Sequence, residues 1–75
     1  MKKLKVKLKS SQMFLDYTKF WTEGEVLVGP GVYTLKLIRN PHLMRGPDWY
    51  IFEGTTIGAN VVYFRKHTQI FEEEV

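Results

Sequence analysis

The chain of 75 residues has no cysteine, three prolines, two histidines and no long apolar run. Without cysteine there is no disulfide framework, no cysteine-ligated zinc and no thiolate nucleophile. No window approaches the ~18 consecutive apolar residues of a membrane span. Near the amino terminus lysine interrupts the apolar residues at every second position, which excludes the unbroken apolar region of a secretory signal. A cytoplasmic protein without membrane contact is the expectation. Histidine is scarce enough to limit acid–base chemistry. Only His42 and His67 are of the residue type that could serve as an acid or base at neutral pH, and their separation of 25 residues offers no short metal-ligand spacing. They read as surface or half-buried side chains, so no metal, no cofactor and no enzymatic activity is expected. The glycines of Gly54-Thr55-Thr56-Ile57-Gly58 invite comparison with a phosphate loop, but the Gly-Lys-Ser/Thr ending is missing and the segment reads as a turn. Asp16, Glu23, Glu25, Asp48 and Glu53 fall beside expected turns and strand ends, where a catalytic carboxylate pair is hard to build.

What the chain has is aromatic mass. Hydrophobic residues make up 44% and aromatic residues 15%, enough large rings to fill a core by themselves. A domain this small buries only about 60% of the surface its unfolded chain exposes, so most rings must serve packing. The length supports one domain, residues 1–75.

The net charge of +3 is unevenly laid out. Residues 1–9 hold Lys2, Lys3, Lys5, Lys7 and Lys9 and no acid; the middle of the chain is close to neutral; residues 72–75 hold Glu72, Glu73 and Glu74. Lys3 to Lys9 alternates strictly with Leu4, Val6 and Leu8, which predicts a strand with apolar residues on one face and lysines on the other.

Met13, Phe14, Tyr17, Phe20 and Trp21 fall at helical spacing, with Ser11 placed to cap and Gly24 to terminate, and predict one short helix near residues 12–21. Glu25–Val28 and Val32–Ile38 read as strands around Gly29-Pro30-Gly31, a hairpin or tight connection in which Gly31 supplies the positive φ of a type II turn. Asn40 to Asp48 is a loop by its prolines and glycine; Trp49–Phe52 resumes strand character. Val61–Lys66 and Thr68–Phe71 read as one long or two short strands. The sum is a mainly β domain, an SH3-like or OB-like small barrel of five to six short strands with turns every 8–12 residues.

Fold likeness does not carry function, and with so few acid–base groups the expectation is a non-catalytic domain that works by binding. Lysines spaced by two residues along a strand stand about 6.6–6.8 Å apart and can follow a phosphate backbone. The expected nucleic-acid contacts are Lys3, Lys5, Lys7, Lys9, Arg65 and Lys66, with Trp49, Tyr50, Tyr63 and Phe64 as candidates for stacking on bases. The alternative is a protein-interaction module, an adaptor, inhibitor or small subunit. It would use the 40–50 loop, where His42, Met44, Arg45, Trp49 and Tyr50 are the residue types enriched in binding hot spots. Open strand edges also permit a homodimer by strand pairing. Pairing of the first strand with the last would bring Glu72 to Glu74 against the lysine row and offset part of its field.

Overall fold

The structure, a computed structural model, describes residues 1–19, 23–41 and 46–74. Among these residues the chain forms β1 (Lys2–Leu8), β2 (Gln12–Asp16), β3 (Glu25–Val28), β4 (Gly31–Ile38), β5 (Trp49–Phe52), β6 (Ile57–Asn60), α1 (Val61–His67) and β7 (Gln69–Glu74). All strands pair antiparallel in one sheet of order β3-β2-β6-β5-β4-β1-β7.

The alternation of β1 is realised as expected: Val6 and Leu8 are buried and Leu4 packs beside them. The chain on either side of Gly29-Pro30 makes a corner rather than a hairpin. β3 pairs with β2, β4 pairs with β1 and β5, and β3 and β4 do not pair with each other. β1–β2 and β3–β4 are therefore the two sides of one long antiparallel ribbon. Leu8 stands opposite Gly31 and Gln12 opposite Val28, so residues 9–11 on one side face only Gly29 and Pro30 on the other. One extra residue on one side bends and twists a ribbon. Proline, with no N–H to give, suits the break in the ladder. Gly31 has φ of 149°, wider than the type II turn the sequence suggests, and the Tyr33 hydroxyl pins the corner by donating to the Gly29 carbonyl at 2.8 Å. The ribbon's actual hairpin end lies beyond Asp16, whose N–H donates to the Gly24 carbonyl at 2.6 Å.

Because the ribbon bends, Phe14 of β2 joins Val6 and Leu8 of β1 in one core although three strands separate β2 from β1 in the sheet. Phe14 lies edge-on to Phe52 at 5.0 Å and stacked on Phe64 at 5.1 Å. Such pairs add about 0.5–1.5 kcal/mol each beyond the burial of area. Gly58 lets β5 and β6 close: a Cβ there would stand 2.0 Å from the Tyr50 carbonyl oxygen.

The helix is not where its spacing placed it. Residues 12–16 form β2, bonded to β3 and β6 on its two sides, and of the aromatic set only Phe14 is fully buried; Phe20 and Trp21 lie outside the described residues. Residues 61–66, expected as a strand, lie in the helix Val61–His67 instead. Asn60 caps it by accepting from the Tyr63 N–H at 2.8 Å, and Arg65, Lys66 and His67 stand in its last turn, where cations complement the carbonyl end. The strand propensity of Val61 and Val62 is overridden because the helix seats Phe64, wholly buried, at the centre of the core. The sheet is not closed: it runs from edge strand β3 to edge strand β7. α1 ties the β2 half to the start of β7, since the Gln12 amide donates to the His67 carbonyl at 2.9 Å and the Tyr63 hydroxyl to the Met13 carbonyl at 2.9 Å.

Candidate functional site

β1 is flanked by β4 and β7, and residues directly opposite one another share a face. Leu4, Val6 and Leu8 turn inward, which leaves Lys3, Lys5 and Lys7 on the outer face. Lys3 is opposite Glu73, Lys5 lies between Thr34 and Phe71, and Lys7 lies between Val32 and Gln69.

The register decides which lysines meet acid. Glu72, Glu73 and Glu74 stand opposite Leu4, Lys3 and Lys2 at the beginning of β1. There the terminal ammonium of Met1 pairs with Glu74 at 2.9 Å, Lys2 with Glu72 at 3.8 Å and Lys3 with Glu53 at 3.5 Å. Among the described residues Lys5, Lys7, Lys9, Arg65 and Lys66 form no ion pair. The glutamates thus neutralise one end of the lysine row and leave the other.

At that other end α1 delivers a second source of charge. Lys7, Lys9, Lys66 and His67 line a groove of about 480 Å³, joined by Gln12, Thr68 and Gln69 and by no carboxylate. Each has a structural reason to be there. Lys9 begins the bulged corner, Lys66 and His67 form the last turn of a helix held down by Phe64, and Thr68 caps that helix by sending its N–H and its hydroxyl to the Phe64 carbonyl. The His67 ring packs against the Tyr63 ring at 4.7 Å. One oxygen of the groove, Gln12 Oε1, is enclosed and has no hydrogen-bond donor, while the nitrogen of the same amide is bound to His67. Like charges around one groove repel, and a bound anion relieves that repulsion.

A larger hollow of about 710 Å³ lies beside β4 and the β5–β6 turn, with Val28, Tyr33, Phe52 and Ile57 in its wall. Its charges, Lys3 and Glu53, are already paired with each other. It lacks the unpaired charge of the smaller groove. The Gly54–Thr56 segment is the β5–β6 turn, and its Thr55 N–H and hydroxyl both donate to the Phe52 carbonyl, at 3.0 and 2.8 Å.

The residues singled out from the sequence divide. Lys7, Lys9 and Lys66 meet at the groove, Lys5 continues it along the outer face, Lys3 is drawn to Glu53, and Arg65 is exposed without lining the groove. Of the rings offered for stacking, Phe64 is wholly buried, Trp49 is buried, and Tyr50 and Tyr63 are half-buried at the edge of the core. Trp49 and Tyr50 point to opposite faces of β5. His42, Met44 and Arg45 lie outside the described residues. Phe71 was overlooked: it stands on the outer face opposite Lys5, 36% exposed. The alternation Gln69, Phe71, Glu73 would have placed it outward once residues 69–74 were paired with β1. His67 and Gln12 were beyond reach, because the groove exists only through the contact of α1 with the ribbon corner.

Among the described residues no three of His, Asp and Glu gather into a metal-ligating group, and no helix is long and apolar enough to cross a membrane. No protein family, no curated protein and no solved structure matches the chain.

Proposed function

We propose that this protein is a non-catalytic binding module that holds nucleic acid through its phosphates, in the cytoplasm. One observation carries this reading: Lys7, Lys9, Lys66 and His67 line a groove without any carboxylate, while the acids that could neutralise β1 are spent at its opposite end. Lys5 extends the same field along the strand. Four lysines make few phosphate contacts, so the expected binding is weak, fast and strongly salt-dependent. The curled sheet, bent at a corner and bridged by a helix before its last strand, supports reading the fold as an opened SH3-like or OB-like barrel, an architecture that commonly presents such surfaces.

The test is a titration of labelled single-stranded and duplex oligonucleotides at several salt concentrations. Replacing Lys7, Lys9 and Lys66 together by Glu is expected to abolish measurable binding. Replacing them by Gln should lower the salt slope by about 2, since each lost contact to a single strand removes about 0.7. Lys2→Glu should change neither. Absence of binding at about 50 mM salt, or an equal effect of Lys2→Glu, would overturn the reading.

A second reading, contact with protein, is favoured by a different observation. Met13 and Leu27 stand directly opposite each other on β2 and β3, 46% and 63% exposed, beside an edge strand. A second copy pairing along β3 would cover them. Sedimentation over a range of concentrations, with Leu27→Lys as control, tests it: a monomer at all concentrations removes this reading.

A further inference from the structure

We infer that the preferred ligand is a single strand, one of whose bases stacks on Phe71. This inference rests on the phosphate-binding reading above and specifies its substrate class. Phe71 lies on an outer sheet face and is the one phenylalanine among the seven large apolar side chains exposed in the described residues. Its surroundings distinguish it from scattered surface apolar residues. Lys5 is directly opposite it on β1, and the neighbouring outward positions of β1 are Lys3 and Lys7. β7 is an edge strand, so the face beyond Phe71 ends without a further neighbour among the described residues. The inward neighbour Ile70 packs against the core opposite Val6, which fixes the strand and therefore the outward aim of Phe71.

An exposed aromatic face beside a row of cations matches the two surfaces of an unpaired strand, the base and the phosphate. In a duplex the bases are already stacked on one another, out of reach of a ring that stands on a sheet face. The lysine field alone would serve either form; Phe71 is useful only for the unpaired one. The charge also sets the direction. Glu73 and Glu74 close the far end of β7, so an anionic chain stacked at Phe71 continues past Lys5 and Lys7 toward the groove at Lys9 and Lys66 rather than toward Lys2.

The experiment compares the wild type with Phe71→Ala, Phe71→Trp and Lys7→Gln on a single-stranded oligonucleotide, on its duplex and on polyglutamate as a protein-like polyanion. Phe71→Ala is expected to weaken single-strand binding by about five- to 150-fold, the loss of one base–aromatic stack, with the salt slope unchanged. Phe71→Trp should restore it, and duplex binding should be weaker than single-strand binding and indifferent to position 71. Lys7→Gln should do the reverse, lowering the slope for both forms. Thermal unfolding reads fold integrity, and Phe71→Trp provides the folded comparison if the alanine variant is perturbed. Equal single-strand affinity for wild type and Phe71→Ala overturns the stacking inference while leaving the phosphate reading in place. Failure of the wild type to bind any nucleic acid overturns both. Polyglutamate binding as tight and as sensitive to Phe71→Ala as the oligonucleotide's overturns the assignment to nucleic acid.

Discussion

The two ends of β1 are built from the same alternation of lysine with leucine or valine, yet they carry different fields. At the beginning, Met1, Lys2 and Lys3 are each within 4 Å of a glutamate; at the end, Lys7 and Lys9 face Gln69, Lys66 and His67. Both ends are basic in sequence, the beginning more so through Lys2 and the terminal ammonium of Met1. The difference comes from partners far away in sequence: β7, whose antiparallel register sets its glutamates against the beginning of β1, Glu53 just after β5, which pairs with Lys3, and α1, whose last turn adds cations at the other end. A net charge of +3 is therefore a poor guide to what a ligand meets. The ion pairs at the acid end are exposed and each contributes at most about 1 kcal/mol to stability. Their larger consequence is to confine the unpaired charge to one side.

The most damaging way to break this contrast is to remove what holds α1 in place. Phe64→Ala empties the centre of an aromatic cluster and should cost about 3–5 kcal/mol, a large part of the stability of so small a domain. Denaturant melts would show it as a large fall in midpoint, and Lys66 would leave Lys9 with it. A midpoint within about 1 kcal/mol of wild type would mean that the helix is held by its cap and its hydrogen bonds to β2 instead. A smaller effect comes from erasing the acid end. Changing Glu72, Glu73 and Glu74 to Gln frees Lys2 and, in part, Lys3. The salt slope of nucleic-acid binding should rise by about 1 and the affinity severalfold, with little change in stability. An unchanged slope would show that the ligand never approaches the beginning of β1.

The lysine strand and the apolar identity of its inner face were legible because a period of two in a half-buried strand leaves no other arrangement. Whether the first strand pairs with the last was an open alternative in the sequence, and the sheet takes it up. The rest depended on long-range facts. Met13, Phe14 and Tyr17 fall at helical spacing, and only hydrogen bonding to β3 and β6 makes residues 12–16 a strand. Val61, Val62 and Tyr63 favour strands, and the decision went to Asn60 as a cap and Phe64 as a plug, neither of which has a distinctive spacing. Gly29-Pro30-Gly31 announces a change of direction, but whether it turns a hairpin or bends a ribbon depends on where β2 ends. The candidate site was half visible: Lys7, Lys9 and Lys66 could be named, whereas their meeting depends on the corner and the helix together. Phe71 was hidden because most rings of so small a domain are expected to serve packing.

The smallest effect separates the glutamates at the end of β7 from a carboxylate of another kind. Asp16 ends β2 and accepts, on one oxygen, from the Thr18 N–H at 3.0 Å, the Thr18 hydroxyl at 2.6 Å and the Thr56 hydroxyl at 2.8 Å. The Thr18 hydroxyl and N–H, then Thr56, hold its carboxyl below the ordinary value, with Lys19 adding a little by charge. A carboxylate whose folded pKa is depressed adds stability that is present above the unfolded pKa and disappears as the pH falls through the folded one. Wild-type melting temperature should therefore drop as the pH goes below about 4 by more than that of Asp16→Asn, and the two curves should run parallel above it. Salt supplies the contrast with the glutamates. Hydrogen bonds to neutral donors are not screened, so the difference between wild type and Asp16→Asn should persist at about 1 M salt, where the effect of Glu74→Gln on the pair with Met1 should vanish. If the Asp16 difference fades with salt as well, Lys19 rather than the two threonines controls that carboxylate, and the hairpin end of the ribbon is held by charge as the beginning of β1 is.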